Sequence, residues 1–428
     1  RATLTMEEEE EEVREAMEDE DDEEEEEQGE EDYDEEFLRE CSTWDQEVTD
    51  IPDFETLPEE VKTILMKYKK VFSAELSKDR YIDVPEFDLK IKEGVPLPRK
   101  CTRTRPPAAR YLDQAIKQVR HMDNAEIIAD MDEPTDIISQ AFWIGKKDKS
   151  KARFVCDMKA LSAIVEREHH PAFSPIDIVK TLPPDQKSYW VADMSSSYFQ
   201  MRCSEETSKK YLCFMTPFGV KRWRRIPQGL NLSSDLLGKT MQREFQDLFE
   251  TRRLIRDMDD MLGAGKDDEE ALDLLEKFLR RCEEVGCTLA PAKFQWWSGE
   301  KEGKPNTATG SKGVIWAGLQ IRDGTYCPDP GRARAIAEFP TPTDLGSLRR
   351  WIGLVNQVTY FHPAMSAKTR LQRELLKKKT AFVGTQEINE EFLQLRKELS
   401  DPNKLYSQDL GLELGLSVDS HKANANSG

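Results

Sequence analysis

The sequence predicts an α+β fold, in which a sheet has helices packed on one face. An apolar strand-like run at residues 188–194 and an apolar hairpin at residues 254–262 supply strands. An amphipathic stretch at residues 268–285 follows the hairpin, with apolar side chains at helical spacing and Gly286 as a stop signal. Strand, hairpin and helix in this order are typical of α+β domains. Such domains serve many functions, so the fold class alone decides none of them.

Formal charge divides the chain into an acidic tail and a mildly basic body. The whole chain carries a net charge of −21. Residues 1–60 hold 31 acids and three Arg, a net of −28, which leaves 52 acids and 59 bases, a net of +7, for residues 61–428. The body is therefore compatible with a nucleic-acid partner, although the chain as a whole is acidic.

Composition also predicts the order of the tail, the state of the cysteines and the absence of membrane contact. Residues 1–50 are predicted to form a disordered acidic tail, because like charges at this density cannot bury enough surface to offset chain entropy. The tail is interpreted as a solubilising arm, a mimic of nucleic acid, or a sequence with no selected role. The eight cysteines lack metal-ligand spacing and are predicted to be free thiols in a reducing compartment. No apolar run reaches ~18 residues, so no membrane partner is expected.

The body is predicted to begin with a helical prelude at residues 51–85. Its helix is placed at residues 57–72, where Pro58 and the two acids after it suit a first helical turn. Further strands are predicted at residues 87–91, 126–131 and 141–145, and further helices at residues 111–122 and 233–249.

Three carboxylates are candidate metal ligands. The hairpin is predicted to carry Asp259 and Asp260 at its tip, and the run at residues 188–194 has Asp193 near its end. One carboxylate facing a carboxylate pair on a neighbouring hairpin can hold two divalent cations for phosphoryl transfer. Hard oxygen donors favour Mg²⁺, with Mn²⁺ as an alternative. Acids at a hairpin tip are also common as solvated turn residues, which is the competing interpretation.

Cationic and aromatic residues are candidates for phosphate and sugar contacts. Residues 146–153 place five cations between two strand-like runs, which suits a triphosphate or a solvated hairpin tip. Residues 221–225 place four cations around Trp223, which suits phosphate contact with base stacking or a cationic edge strand. Tyr198 follows Asp193 closely and suits either a wall beside a sugar or a core position.

Several motifs occur together in an order that resembles a known family. They are Arg153-Phe154-Val155-Cys156-Asp157, Asp193 with Tyr198-Phe199-Gln200, Pro227-Gln228-Gly229-Leu230, Met258-Asp259-Asp260 and, downstream, Leu348-Arg349-Arg350-Trp351. The set resembles the reverse transcriptase of gypsy-type long-terminal-repeat retrotransposons and, more distantly, that of retroviruses. Each motif is weak alone, but the ordered set covers residues 73–399, most of the chain.

The resemblance implies a right-hand polymerase of fingers, palm and thumb. Fingers and palm are expected at residues 86–330 and a helical thumb or connection at residues 331–400. Residues 401–428 are expected to be a linker and the truncated start of a ribonuclease H-like domain, in which Asp419 matches the first catalytic acid. The chain looks like a fragment of a longer polyprotein, and no complete ribonuclease H is expected.

The resemblance also implies roles for individual residues. Asp193, Asp259 and Asp260 match the catalytic, metal-binding carboxylates of the family. The implied nucleotide-binding residues are Lys146, Arg153, Met194, Tyr198, Gln228, Gly229 and Lys293, and the implied primer-binding residues are Trp316, Ala317 and Gly318. Implied partners are an RNA or DNA template with its primer, deoxynucleoside triphosphates, two Mg²⁺ ions, and ribonuclease H and integrase as polyprotein neighbours.

Two departures from the family keep a second hypothesis open. Asp257 stands where the family usually has Tyr or a small apolar residue, and Ser197 replaces a usual Gly. The first hypothesis is an active RNA-directed DNA polymerase in the cytoplasm or virus-like particles, with the nucleus as an alternative. The second is a degenerate or co-opted polymerase fold that binds nucleic acid without catalysis, and the third an interaction protein with an acidic tail.

Overall fold

The computed structural model describes residues 48–399 and 408–409, with gaps at 74–76, 102, 104, 146–151, 168–169, 172, 300–311, 363–367 and 377–383. Its α-helices are α1 (Glu59–Lys67), α2 (Leu112–Asn124), α3 (Lys159–Ile164), α4 (Pro175–Val179), α5 (Glu205–Tyr211), α6 (Ser233–Glu244), α7 (Gln246–Glu250), α8 (Asp268–Val285), α9 (Pro330–Ala337), α10 (Leu345–Asn356), α11 (Arg370–Leu375) and α12 (Gln386–Leu399). Its strands are β1 (Ile128–Asp130), β2 (Ile138–Gly145), β3 (Ala152–Asp157), β4 (Ser188–Asp193), β5 (Cys213–Thr216), β6 (Gly219–Trp223), β7 (Leu254–Asp257), β8 (Asp260–Gly265), β9 (Gln295–Ser298), β10 (Val314–Trp316), β11 (Leu319–Arg322), β12 (Thr325–Pro328) and β13 (Gln408–Asp409).

The strands form three sheets. A five-stranded sheet has the order β1-β6-β5-β2-β3, and its β2–β5 pair is parallel. The central sheet has the order β7-β8-β4-β9 and is antiparallel throughout. A third sheet, β10-β11-β12-β13, is also antiparallel. The mixture of sheets and helices confirms the predicted α+β class.

Strand β4 lies inside the central sheet and is buried along its whole length. Its side chains alternate between two cores: Trp190 and Ala192 enter one, and Tyr189 and Val191 enter the other. Helix α8 packs on the first core, whereas strands β10 and β11 and helices α9 and α10 cover the second. The prediction of helices on one face only was therefore incomplete. The continuous apolar run of β4 is the signature of a strand buried on both faces.

Close packing of α8 against the sheet depends on a glycine. A Cβ atom at Gly263 on β8 would lie 2.1 Å from Cε2 of the Trp190 indole. The indole also contacts two residues of α8. Its Nε1 donates to Ala271 O at 3.1 Å, and its ring centroid lies 5.0 Å from that of Phe278. The absence of a side chain at Gly263 thus lets Trp190 join the sheet to the helix.

Other predicted elements match the structure to different degrees. The helix predicted at residues 268–285 is confirmed as α8. The single helix predicted at 233–249 is instead α6 and α7, separated by Phe245, whose φ of −119° leaves the helical range while its ring packs 5.6 Å from that of Phe278. The strand predicted at 87–91 is wrong, because only isolated bridges form there, at Phe87 and Ile91.

Some predictions fall partly or wholly outside the described residues. The acidic tail before residue 48 and Asp419 lie outside them, and the domain boundaries stay predictions. None of the seven described cysteines forms a disulfide. Among the described residues, no helix combines the length and apolar character needed to cross a membrane.

Candidate active site

Strand register brings two of the predicted acids together. Asp193, the last residue of β4, is the direct cross-strand partner of Asp260, the first residue of β8. Direct partners in an antiparallel pair project from the same face of the sheet. The central sheet thus joins acids that are far apart in sequence.

The third acid lies in the turn between β7 and β8. This turn has two residues, Met258 and Asp259, and Met258 adopts a left-handed φ of 54°. The prediction that Asp259 and Asp260 share the hairpin tip was wrong by one residue, since Asp260 already pairs with Asp257 and Asp193. The Arg256 guanidinium donates to Met258 O at 2.8 Å, which stabilises the turn in this position.

Backbone hydrogen bonds fix the end of β4. The N–H of Ala290 donates to Asp193 O at 2.8 Å, and the N–H of Met194 donates to Asp259 O at 3.2 Å. Met194 is 1% exposed and forms an isolated bridge with Leu289. These bonds tie the end of β4 both to the hairpin turn and to the segment after α8, so Asp193 has little freedom to move.

Two side chains contact the acids directly. The Lys293 Nζ lies 2.6 Å from Asp193 Oδ1. The Ser197 hydroxyl donates to Asp259 Oδ2 at 3.3 Å. The resemblance assigns Lys293 to the pyrophosphate of the nucleotide, whereas Ser197 is noted from the sequence only as a departure from glycine. The serine side chain supplies a hydrogen bond that glycine cannot make.

Burial and mutual repulsion raise the carboxyl pKa values. Burial, the hydrogen bond with Asp193 and the charges of Asp193 and Asp259 together raise the pKa of Asp260 to about 8, against the opposing charge of Lys293. Burial and the Asp193 charge raise the pKa of Asp259 above its ordinary value. Ionisation of Asp260 is therefore disfavoured in the absence of a bound cation.

The donor chemistry of the three acids suits a hard divalent cation. Among the described residues, no group of three or more His, Cys, Asp or Glu side chains is already spaced as a metal cluster. Asp193 instead faces an ammonium group, and the raised pKa of Asp260 disfavours its ionisation. Both compensate the negative charge that a cation would otherwise balance, and the carboxylate oxygens match the preference of Mg²⁺. The residues present therefore fit a magnesium site.

Tyr198 lies beside the acids in a short 3-10 turn, Ser197–Gln200. Its half-buried ring packs against the core beneath β4. Burial, with the charge of Asp259, raises the pKa of the Tyr198 hydroxyl above its ordinary value. The two interpretations of Tyr198, as a core residue and as a wall of the site, are therefore compatible.

The predicted triphosphate residues lie on or near the five-stranded sheet. Arg153 is exposed on β3, opposite Ile144, and Lys146 lies outside the described residues. Gln228 and Gly229 are exposed after β6, and Gly229 has a φ of 87° and lies near the Cys156 carbonyl. Within the described chain, no hydrogen bond or ion pair joins Arg153 or Gln228 to the three acids.

The predicted primer-binding residues form a hairpin turn packed behind the acids. Trp316 ends β10, is 1% exposed, and donates from its indole Nε1 to Asp260 O at 3.2 Å. Ala317 and Gly318 form the turn to β11 with φ values of 47° and 76°, typical of a type I′ hairpin. The positive φ of Gly318 favours glycine at this position, and the Arg332 side chain packs over it.

Two cavities border the hairpin that carries the acids. One of about 820 Å³ extends along β7 and is lined by Asp257, Met258, Arg256 and Phe249, among others. The other, about 490 Å³, is lined by Asp260, Lys293, Ile315 and Arg334, among others. Of the three acids, Asp260 lines the second cavity, where a ligand can approach it.

The three acids lie in a part of the chain that resembles known proteins. Residues 144–321 match the family described as reverse transcriptase (RNA-dependent DNA polymerase). Residues 144–321, the reverse transcriptase domain, contain all three acids. Over 375 residues it is 24% identical to the retrovirus-related Pol polyprotein from transposon 412 of Drosophila melanogaster, covering 86% of this chain and 28% of that protein. It is 22% identical to the Gag-Pol polyprotein of gibbon ape leukemia virus, covering 64% of this chain and 16% of that one.

Solved structures show that the reverse transcriptase domain has a right-hand polymerase fold, as predicted. A foamy viral protease-reverse transcriptase in complex with double-stranded DNA matches with a TM-score of 0.67 at 17% identity, covering 81% of this chain and 58% of that chain. The same viral protein in complex with an RNA/DNA hybrid matches with a TM-score of 0.68 at 16% identity, covering 80% and 44%. The chain thus spans well under two thirds of the length of these relatives.

Two contacts around the site were missed by sequence reasoning. The bond from Ser197 to Asp259 joins residues separated by 62 positions, and Arg332 packs over Gly318 from the next helix. Neither has a signal in local sequence pattern. The hydrogen bond from Arg256 to Met258 O, in contrast, joins residues two positions apart. An arginine so close to a turn was a signal in the sequence that could have predicted this bond.

We expect the metal-free reverse transcriptase domain to lose stability as pH rises from 5 to 8. A carboxyl pKa raised in the folded state to about 8 favours the protonated form, so ionisation above the unfolded value of 3.8 opposes folding. In EDTA, the free energy of unfolding of Asp260→Asn at pH 8 should exceed that of the native chain by about 2 kcal/mol. This is well below the free energy that corresponds to the whole pKa shift, because the carboxyl group is partly exposed and water screens its charge. Urea unfolding at both pH values measures this. Equal pH slopes for the two proteins would contradict it.

Proposed function

We propose that the chain is an RNA-directed DNA polymerase that extends a primer with deoxynucleoside triphosphates, as part of a retrotransposon polyprotein. The observation that carries the proposal is the cross-strand pair of Asp193 and Asp260 with Asp259 in the adjoining turn. This pair lies within the reverse transcriptase domain. A location in the cytoplasm or in virus-like particles stays a prediction.

The three acids would hold two Mg²⁺ ions, with Mn²⁺ as an alternative. Asp193 and Asp260 project from one face of the central sheet, and Asp259 is held in the turn by Ser197. The carbonyl of Met194 is the further oxygen that the family resemblance assigns to this site. When bound, the ions supply activation of the primer 3′-hydroxyl and neutralisation of the pyrophosphate that leaves.

The chain's own residues position the reactants. Trp316 donates to the carbonyl of Asp260, so the predicted primer-binding turn is anchored to the hairpin that carries the acids. A primer end held by Ala317 and Gly318 would be fixed relative to those acids, which supplies the in-line approach. Lys293 adds positive charge beside Asp193 and lies where the triphosphate is expected.

The incoming nucleotide is assigned to the five-stranded sheet and its surroundings. Exposed Arg153, together with Lys146, would neutralise the triphosphate, and exposed Gln228 and Gly229 would line the nucleotide pocket. Tyr198 packs beside Asp259 and would exclude a sugar that carries a 2′-hydroxyl. The template would be held by backbone contacts with the mildly basic body, without sequence preference.

A polymerase fold that binds nucleic acid without catalysis is the second candidate, and Asp257 favours it. Asp257 is the cross-strand partner of Asp260, so three acids on β7, β8 and β4 project from one face of the central sheet. Burial, together with the charge of Asp259, raises the pKa of Asp257. An additional carboxylate in this row would compete with Asp193 and Asp260 for the ions.

Primer extension separates the two candidates. The purified chain should extend oligo(dT) on poly(rA) with Mg²⁺ or Mn²⁺ and deoxythymidine triphosphate, and should lose this activity in excess EDTA. Salt-sensitive binding of the primer–template without extension, together with extension by an Asp257→Tyr variant, would establish the second candidate instead. Failure to bind any primer–template would contradict both.

A further inference from the structure

Lys293 occupies a position on Asp193 that a metal ion would otherwise take. Its Nζ lies 2.6 Å from Asp193 Oδ1, and the Asp193 side chain is only 5% exposed. We infer that Lys293 is a built-in counter-ion of the metal site, which neutralises Asp193 in the metal-free protein and is displaced when a divalent cation binds. The inference rests on the proposed function, because it requires that the three acids bind a cation.

The backbone fixes where Lys293 begins. It is the last residue of a 3-10 turn, Pro291–Lys293, which directly follows Ala290, whose N–H donates to the Asp193 carbonyl. Phe294, the next residue, is 1% exposed and anchors the turn in the core beneath the central sheet. The tertiary structure therefore holds the backbone of Lys293 at a position from which its side chain reaches Asp193.

The outer part of Lys293 is free to move. Its side chain is 60% exposed, so its ammonium group can exchange Asp193 for water by rotation about its own stem. An exposed ammonium gains little from an ion pair, since water solvates it well. A divalent cation with twice the charge and direct oxygen coordination can therefore replace it.

Charge explains why such a counter-ion is useful at this site. Among the described residues, Lys293 is the one cation within ion-pair distance of Asp193, Asp259 or Asp260. Without it, the neighbouring carboxyl groups of Asp193 and Asp260, the first nearly fully buried, would face each other with no described cation within ion-pair distance. Lys293 thus stabilises the empty site and, by the same interaction, weakens the binding of the ion that replaces it.

Binding of Mn²⁺ to the nucleic-acid-free protein tests the inference without turnover. The free Mn²⁺ signal in electron paramagnetic resonance gives the affinity of the native chain and of Lys293→Met, which removes the charge but keeps the stem. We expect Lys293→Met to bind Mn²⁺ about fivefold more tightly. Lys293→Arg, which keeps the charge, should remain close to the native chain. Unchanged or weaker binding by Lys293→Met would overturn the inference.

Two controls distinguish local pairing from general charge. Arg334 lines the cavity that Asp260 and Lys293 also line, and within the described part of the chain no ion pair joins Arg334 to an acid. Arg334→Met should therefore leave the affinity for Mn²⁺ near the native value. In an Asp193→Asn background, the additional Lys293→Met change should have no effect, because the pairing carboxylate is gone. A gain of affinity in Arg334→Met equal to that in Lys293→Met would attribute the effect to net charge and overturn the inference.

The same titration tells apart the failure of the inference and the failure of the proposed function. If the native chain binds Mn²⁺ and Asp193→Asn weakens that binding, the metal site stands whatever Lys293→Met does. If native, Asp193→Asn and Lys293→Met proteins all fail to bind Mn²⁺, the metal site and the inference fall together. Thermal unfolding with and without Mg²⁺ gives a second readout, in which the ion should raise the unfolding temperature more for Lys293→Met than for the native chain.

Discussion

Replacing Asp193 with asparagine is expected to lower the rate of primer extension by about 10³-fold or more, a loss of roughly 4 kcal/mol of transition-state stabilisation. Asparagine keeps the shape of the side chain but removes the charge that would hold a cation opposite Asp260. The backbone bonds that fix the end of β4 involve main-chain atoms only and survive the change. Single-turnover extension of a primer–template measures the effect.

A matched substitution controls for the change of Asp to Asn itself. Asp323 lies in the turn between β11 and β12 with a left-handed φ of 47°, a conformation that asparagine tolerates well. Asp323→Asn should therefore extend primers at the native rate, and both variants should bind the primer–template as the native chain does. Extension by Asp193→Asn within tenfold of native would remove the metal-binding role of Asp193.

Replacing Trp316 with alanine is expected to cost roughly 3–5 kcal/mol of unfolding free energy and to abolish primer extension. The indole is buried in the core between the central sheet and helices α9 and α10, so its loss leaves a cavity. It also removes the bond from Nε1 to Asp260 O, which joins the predicted primer-binding turn to the acids. Urea unfolding and extension assays on the same preparations measure both effects.

Trp316→Phe separates packing from the hydrogen bond. Phenylalanine refills much of the buried volume but cannot donate to Asp260 O, so the unfolding free energy should fall by only about 1–2 kcal/mol. A lower extension rate in this variant would then show that the hydrogen bond to Asp260 O helps to position the predicted primer-binding turn relative to the acids. If Trp316→Ala unfolds at the native urea concentration, the packing attributed to Trp316 is wrong.

Elements with strong local signals were predicted well. Helix α8 has the predicted bounds because Asp267 caps its start by accepting from Glu270 N, and Gly286 ends it with a φ of 74°. Elements governed by distant contacts were predicted poorly. The break between α6 and α7 at Phe245 follows from packing against α8, and the hairpin tip shifted by one residue because Arg256 supports a turn at Met258.

The sequence by itself predicted the polymerase fold from its ordered motifs and singled out Asp193, Asp259 and Asp260 as candidate catalytic residues. Only the tertiary structure decided how these acids meet, because cross-strand register, and not spacing along the chain, places Asp193 opposite Asp260. It also decided that Lys293, 100 residues from Asp193, neutralises that acid. Local pattern cannot encode such contacts, since they arise when separate strands and turns pack around a shared core.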